Sequence, residues 1–178
     1  MPRHIALLRG INLGAHNRIA MPALREALER AGFGDVRTYV QSGNLVLSSD
    51  GQPDAVGREI EHVIREAFDL DIAVVVRTRE ELAEVVKRNP LGQVAENPKR
   101  YQVSFLSEEL EPSVLEKLHA AAVEPERLVA IGRELYAWHP NGAARSKLWG
   151  RLASTGLGVT ATARNWTTVT TLLQMADE

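Results

Sequence analysis

The chain has 178 residues, of which 44% are hydrophobic and 25% charged, a composition typical of a folded globular protein. No apolar run approaches the roughly 20 residues of a membrane span, and the first residues lack the hydrophobic core of a secretory signal. The absence of cysteine excludes disulfides, thiolate metal sites and cysteine nucleophiles. We therefore expect a cytoplasmic protein that does not associate with membranes.

The net charge of −2 argues against a generally basic nucleic-acid binder, but the charges are unevenly distributed. Residues 1–49 hold six Lys or Arg against three Asp or Glu, and residues 50–139 hold eleven against eighteen. Residues 140–176 hold four Lys or Arg and no carboxylate. If the two basic ends meet in space, they form one electropositive patch. Acidic amphipathic helices that happen to fall in the middle are the alternative explanation.

The first half of the chain alternates between strand and helix patterns in the order βαββαβ, the split βαβ or ferredoxin-like arrangement. A loop of about ten residues, Ile11 to Ala20, separates the first strand from the first helix, which Met21-Pro22 opens. The predicted strands are 5–8, 36–40, 45–47 and 72–76, and the predicted helices are 21–31 and 56–67.

A connecting helix follows. Thr78 and Glu81 have the spacing of a capping box, in which each side chain bonds the other residue's main-chain amide. Asn89-Pro90 ends this helix, and residues 91–98 form a polar linker.

The same order of patterns then returns. The predicted strands are 101–105, 128–131, 135–138 and 159–163, and the predicted helices are 112–122, 145–154 and 166–175. The fold class is therefore α+β, with two tandem ferredoxin-like halves that have antiparallel sheets, a connecting helix and a C-terminal helix. The predicted divisions are a first half at 1–77, a connecting helix and linker at 78–98, and a second half with its appended helix at 99–178.

Three segments hold more polar residues than a scaffold requires. The first is the loop Arg9–Arg18, with Asn12, Gly14 and Asn17, which leads into a helix N-terminus where main-chain amides favour anions. It lacks the endings of a P-loop and of a dinucleotide-binding loop. Turn formation alone is the alternative explanation for its asparagines and glycines.

The second segment is the hairpin turn around Gln41, Ser42, Gly43 and Asn44. In a ferredoxin-like order we expect this turn at the opposite end of the sheet from the exit of the first strand. Gln41 and Asn44 are then predicted to support the turn and not to share a site with Arg9.

The third segment is Arg164-Asn165-Trp166-Thr167, preceded by Arg145-Ser146-Lys147. Asn165 or Thr167 suits an N-cap, and Trp166 suits a core position. Capping does not explain three cations without a nearby carboxylate. Two arginines, a lysine and an indole are able to bind a phosphate and stack against a base or sugar. A solvated basic face is the alternative.

Catalytic and metal-binding patterns are scarce. The five histidines are isolated, and no pair has metal-ligand spacing, so we predict neither a metal nor a cofactor. Ser42 and Ser146 have no base nearby in sequence, although a triad assembled from distant segments stays open. Whether the protein is an enzyme is therefore undecided. RNA binding by a sheet face is not favoured, because the aromatic signature on the third strand is missing.

Several of these segments resemble one family. The chain resembles the bacterial domain-of-unknown-function family 1697 essentially from end to end. The resemblance is carried by the run Leu7-Leu8-Arg9-Gly10-Ile11-Asn12-Leu13-Gly14, by Met21 with Leu24, and by the runs Tyr39 to Asn44 and Arg164 to Thr167. The resemblance implies paired ferredoxin-like halves and supplies no substrate. The motif positions it carries over are Arg9, Asn12, Gly14, Gln41, Ser42, Gly43, Asn44, Arg164, Asn165 and Trp166.

The leading hypothesis is a protein that binds a small anionic ligand, bearing phosphate or carboxylate and nucleotide-like in size, at a basic patch formed by the terminal motifs. A nucleic-acid-binding module and a protein-interaction or oligomeric scaffold are the alternatives. The predicted ligand-binding residues are Arg9, Asn12, Gly14, Asn17, Arg18, Lys147, Arg164, Asn165 and Trp166, with Gln41, Ser42 and Asn44 as a second cluster.

Overall fold

The structure, a computed structural model, describes residues 1–178 and contains two four-stranded antiparallel sheets and six helices. The predicted α+β class with two βαββαβ halves is confirmed. The elements of the first half are β1 (Arg3–Leu8), α1 (Met21–Arg30), β2 (Gly34–Tyr39), β3 (Asn44–Ser48), α2 (Pro53–Phe68), β4 (Val74–Thr78) and the connecting helix α3 (Arg79–Arg88). Those of the second are β5 (Tyr101–Leu106), α4 (Pro112–Ala121), β6 (Arg127–Ile131), β7 (Glu134–Trp138), α5 (Lys147–Leu152), β8 (Ala161–Asn165) and α6 (Trp166–Ala176).

Both sheets have the same strand order. The first runs β2-β3-β1-β4 and the second β6-β7-β5-β8, so the first strand of each half lies at the centre beside the third and the fourth. This is the ferredoxin-like order, in which a hairpin strand is inserted between two parallel strands. In the first sheet Leu7 lies opposite Asn44, and in the second Tyr101 lies opposite Trp138.

Residues group into two compact units, the first comprising 1–84 with 171–178 and the second comprising 85–170. The chain's last residues are tied to the first unit by arginines. Arg79 Nε donates to the Asp177 carboxylate at 2.6 Å, and Arg37 Nη2 donates to the main-chain oxygen of Met175 at 2.6 Å. These contacts fix the end of the C-terminal helix within that unit.

Each unit has its own hydrophobic core between its helices and one face of its sheet. In the first unit Leu24 and Leu28 of α1 and Ile60 and Ile64 of α2 are buried against the sheet. In the second the corresponding core residues are Leu118 of α4, Leu148 and Leu152 of α5, and Leu106, Leu135 and Ala137 of the strands. The opposite face of each sheet is also buried, which explains why most strands appear in the sequence as continuous apolar runs.

Element boundaries differ from the predictions in two informative places. The strand predicted at 72–76 lies at 74–78, because Leu8, the last residue of β1, pairs with Val74 and so sets the start of β4. The helix predicted from Arg145 begins at Lys147, because the hydroxyl of Ser146 accepts a hydrogen bond from Trp149 N–H and caps the helix. None of the six helices combines the length and the hydrophobicity needed to cross a bilayer.

The capping box predicted at Thr78 and Glu81 is present and supplies a stability test. Thr78 N–H donates to Glu81 Oε1 at 2.9 Å, and Glu81 N–H donates to Thr78 Oγ1 at 3.0 Å. Replacing Thr78 by Ala removes one of these bonds and should lower the free energy of unfolding by about 1 kcal/mol. Thr78→Ser keeps the hydroxyl and should retain most of that stability. Equal losses in both variants in urea unfolding would contradict this role for the hydroxyl.

Candidate functional site

The loop between β1 and α1 is fixed from within by its asparagines. The side chain of Asn12 bonds both polar atoms of the Ile19 main chain: its Nδ2 donates to the oxygen at 3.0 Å, and its Oδ1 accepts from N–H at 2.9 Å. Asn12 N–H also donates to Asn17 O at 2.9 Å, and Asn17 Nδ2 donates to Gly10 O at 3.2 Å. Both asparagines have positive φ, the conformation that asparagine tolerates best after glycine. Their amide groups therefore shape the loop.

The hairpin turn between β2 and β3 lies beside this loop, so the expectation that it sits at the opposite end of the sheet is wrong. Asn12 Nδ2 donates to Gln41 O at 2.6 Å, and Leu8 N–H donates to Gly43 O at 2.9 Å. The reason is topological. Because β3 is antiparallel to β1, the first residue of β3 lies next to the end of β1, and the turn that precedes β3 meets the loop that follows β1.

Within this loop–turn cluster, the predicted site residues differ in accessibility. Asn44 is buried, and its Nδ2 donates to Tyr39 O at 2.9 Å and to Ser42 Oγ at 3.0 Å, as expected of a residue that supports the turn. Arg9 is half-buried. Arg18 is exposed, and its Nη1 donates to Gly14 O at 2.9 Å. Gly14, Asn17, Gln41 and Ser42 are also exposed.

The C-terminal motif belongs to the second unit, and its arginine is buried. Arg164 Nη1 donates to Thr162 Oγ1 at 2.7 Å and to the main-chain oxygen of Ala163 at 2.9 Å. Burial lowers the pKa of Arg164 to about 10. Asn165 Oδ1 accepts from Thr168 N–H at 2.9 Å and so caps α6, as one of the two sequence interpretations predicted.

Trp166 belongs to an aromatic cluster. Its ring stacks on that of Tyr101 with centroids 4.8 Å apart, and Tyr136 lies 6.5 Å away. Both tyrosines are buried, and their hydroxyls donate within the second unit, Tyr101 to Asn89 Oδ1 and Tyr136 to Val85 O. Burial raises the pKa of Tyr101 to about 12. These tyrosines are not available to stack on nucleic-acid bases, which is the role that sheet-face RNA binding would require.

The structure brings Lys147 together with two further cations, Lys117 and Arg151, which are not among the predicted site residues. Helices α4 and α5 border an open groove of about 510 Å³, lined by Lys117, Ala120, Ala121, Lys147 and Arg151. All three cations are exposed, and no carboxylate lines the groove. None of the three forms an ion pair, whereas Arg37, Arg79 and Arg127 do. The groove is therefore an electropositive surface without an internal counterion.

A partly buried polar cluster, which has no signature in the sequence, lies at the start of α5. Ser146 Oγ donates to Glu126 Oε2, and His139 Nδ1 lies 2.7 Å from the same oxygen. The imidazole nitrogen donates, because a carboxylate only accepts. The His139 side chain is fully buried, its Nε2 has no hydrogen-bond partner, and its ring meets Trp149 edge-on at 5.9 Å.

The arrangement of this cluster differs from a serine triad. In a triad the hydroxyl and the acid bond opposite nitrogens of the imidazole. Here Ser146 Oγ, at 3.4 Å, and Glu126 Oε2, at 2.7 Å, both face Nδ1 of His139. Burial alone would raise the pKa of Glu126, but the hydrogen bonds from Ser146 and His139 outweigh it and hold the pKa below its ordinary value. A carboxylate held in this way is a weak base, and the geometry favours a role in positioning α5.

Comparison with known proteins identifies the family. The profile of the family described as "Protein of unknown function (DUF1697)" matches residues 1–136, about three quarters of the chain. The chain belongs to this family. The conserved bacterial protein SP0830 from Streptococcus pneumoniae is similar to this DUF1697 chain over 98% of both chains, with a TM-score of 0.79 and 21% sequence identity. At that identity the likeness concerns the fold. Among curated protein sequences, none matches.

The matched range divides the motif residues of this DUF1697 chain. The loop–turn cluster lies inside residues 1–136, whereas Arg164, Asn165 and Trp166 lie beyond them, so the family match is narrower than the end-to-end resemblance expected from the sequence. Of the groove cations, Lys117 lies inside the range and Lys147 and Arg151 lie outside it.

Gly43 provides a test of how tightly the loop–turn cluster is packed. A Cβ at this position would lie 2.8 Å from both Leu8 Cβ and Ile11 Cδ1, and φ is +87°. Gly43→Ala should therefore lower the free energy of unfolding by about 3 kcal/mol through overpacking and backbone strain together.

Gly14→Ala is the matched control, because φ is +62° there but nothing lies within 4 Å of the added Cβ. Gly14→Ala should lower the free energy of unfolding by about 1 kcal/mol, because only the backbone conformation opposes the added methyl group. Urea unfolding measures both, and equal losses would contradict the close approach at Gly43.

Proposed function

We propose that this DUF1697 protein binds a small anionic ligand that carries a phosphate or carboxylate group, and that Lys147, Lys117 and Arg151 hold that group in the groove between α4 and α5. The observation that carries the proposal is the convergence of three unpaired cations on a groove without a carboxylate. The ligand class is the one expected from the basic C-terminal segment of the sequence.

Electrostatics supports an anion in this place. Lys147 and Arg151 are four residues apart on α5, so they face the same side of the helix. Like charges at this spacing destabilise a helix by about 0.2–0.5 kcal/mol. A bound anion removes that repulsion and gains charge-assisted hydrogen bonds from both side chains. Lys117 of α4 adds the third charge from the opposite wall.

The volume of the groove is compatible with a small ligand. Ala120 and Ala121 contribute only methyl groups to the wall beside Lys117, so the space between the cations stays open. A volume of about 510 Å³ lies within the range of small-molecule sites, which run from about 300 to 1,000 Å³. A ligand of nucleotide or sugar-phosphate size fits this range.

The wider hypothesis, a single patch built from both terminal motifs, stays a prediction. It assigns charge to Arg9, Arg18 and Arg164. The burial of Arg164 and its bonds to Thr162 and Ala163 favour Lys147 as the cation that meets ligand in the second unit. The cytoplasmic location expected from the sequence is part of the same proposal.

Binding of inorganic sulfate and phosphate at low ionic strength tests the site. The double variant Lys147→Ala/Arg151→Ala should weaken binding by at least about tenfold, because it removes two charged contacts that each contribute about 1 kcal/mol or more. Arg145→Ala is the matched control, since Arg145 is an exposed cation one residue before Ser146 and does not line the groove. Isothermal titration calorimetry of the three proteins gives the comparison.

Two results would overturn the proposal: equal affinity in the double variant and in wild type, or no anion binding by wild type. Salt dependence separates the nucleic-acid alternative. Affinity for single-stranded RNA that exceeds the affinity for sulfate and falls steeply with salt would favour a nucleic-acid-binding module. If the protein binds none of the anions tested, a scaffold without a small ligand would be favoured.

A further inference from the structure

The residue that caps α5 also determines where two of the three groove cations lie. Ser146 Oγ accepts from Trp149 N–H at 3.1 Å and so starts the helix. Lys147 is the first residue of α5, and Arg151 follows one turn later. Since α5 has only six residues, its first turn is most of the helix, and loss of the cap displaces both cations together.

Ser146 is held in turn by a partly buried carboxylate. Its hydroxyl donates to Glu126 Oε2, and the same oxygen accepts from His139 Nδ1 at 2.7 Å. Glu126 Oε1 accepts from Val123 N–H at 3.2 Å, which fixes the turn that carries the glutamate. The contacts thus run from the turn before β6, through the end of β7, to the first turn of α5.

We propose that Glu126, together with His139 and Ser146, positions α5 for anion binding and makes the affinity of the groove for anions sensitive to acid. This inference rests on the proposed function, and it assigns these residues a positioning role without contact to the ligand.

The Glu126 carboxylate receives its side-chain hydrogen bonds only from Ser146 and His139, because the neighbouring arginine side chains bond other groups. Arg127 lies next in sequence, but its Nη1 donates to the Glu124 carboxylate at 2.8 Å and to the main-chain oxygen of Glu126 at 3.3 Å. Arg100 donates to the main-chain oxygen of Pro140 beside His139, and its own oxygen accepts from His139 N–H. No lysine or arginine side chain bonds the Glu126 carboxylate.

The direction of the pH dependence follows from the direction of the pKa shift. Hydrogen bonds from Ser146 and His139 outweigh burial and keep the pKa of Glu126 below its ordinary value. The ionised cluster is therefore stabilising above the ordinary pKa, and its contribution is lost as the pH falls through the lowered value. A protonated carboxyl is a weaker acceptor for both donors, which loosens the hold on Ser146 Oγ, the atom that caps α5.

Sulfate is the probe, because it keeps its double charge through the acidic range in which phosphate gains protons. Calorimetric affinities are measured from about pH 7 to about pH 3, a range that spans the ordinary glutamate pKa, with circular dichroism at each pH. Glu126→Gln is compared with Glu124→Gln. Both variants remove one carboxylate from the same turn, but Glu124 is exposed and pairs with Arg127.

We expect Glu124→Gln to keep the wild-type pH profile. Glu126→Gln should bind sulfate more weakly at neutral pH and lack the acid-induced loss of affinity. Ser146→Ala should weaken binding at neutral pH by about fivefold, from the loss of a helix cap. Ser146→Thr keeps the hydroxyl and should restore binding, which also provides the comparison if Ser146→Ala does not fold.

The outcomes separate the two claims. Wild-type protein that binds no sulfate at neutral pH overturns the proposed function. Wild-type protein that binds sulfate, with identical pH profiles for Glu126→Gln and Glu124→Gln, overturns this inference and leaves the proposed function standing. Unchanged affinity in a folded Ser146→Ala variant has the same consequence.

Discussion

The Glu126 carboxylate joins three distant segments of the second unit and fixes the start of α5, the helix that carries two of the three groove cations. Burial of a charge is costly unless hydrogen bonds replace those of water, and this carboxylate receives bonds from Val123 N–H, Ser146 and His139. Since Ser146 caps α5, the same bonds place Lys147 and Arg151 beside α4. The hydrogen bonds of this cluster, which is not arranged as a catalytic triad, thereby position two of the cations in the site that we propose for an anion.

The loop–turn cluster of the first unit illustrates a different use of polar residues. The side-chain amide of Asn12 forms hydrogen bonds with the main chain of Ile19 and Gln41. The side-chain amide of Asn44 donates to Tyr39 and Ser42. Gly43 packs against Leu8 and Ile11 so closely that a methyl group does not fit. The loop–turn cluster of this DUF1697 protein is thus closely packed, and its exposed residues, such as Arg18 and Gln41, lie on its surface.

The sequence predicts structural features that depend on neighbouring residues, but not those that depend on contacts between distant segments. The capping box at Thr78 and Glu81 depends on two residues three positions apart, and the order of strands and helices depends on periodicity within short segments. The ferredoxin-like order itself determines the position of the hairpin turn, because an antiparallel β3 necessarily starts where β1 ends.

The polar cluster around Glu126 belongs to the other category. Its members are thirteen and twenty residues apart along the chain and follow no spacing rule, so His139 and Ser146 looked like isolated residues. The burial of Arg164 depends on how a sheet face is covered, which the alternation of a five-residue strand does not reveal. The sequence does not indicate the role of Lys117 either, because α4, which carries it, is distant in sequence from α5, which forms the other wall of the groove.

A nuclear magnetic resonance titration of the isotope-labelled protein with sulfate tests most directly whether an anion binds between α4 and α5. We expect chemical-shift changes that saturate and concentrate on the amides of α4 and α5 around Lys117, Lys147 and Arg151, with smaller changes at Ser146. Changes concentrated elsewhere in the chain, or no changes up to high sulfate concentration, would contradict the proposed site.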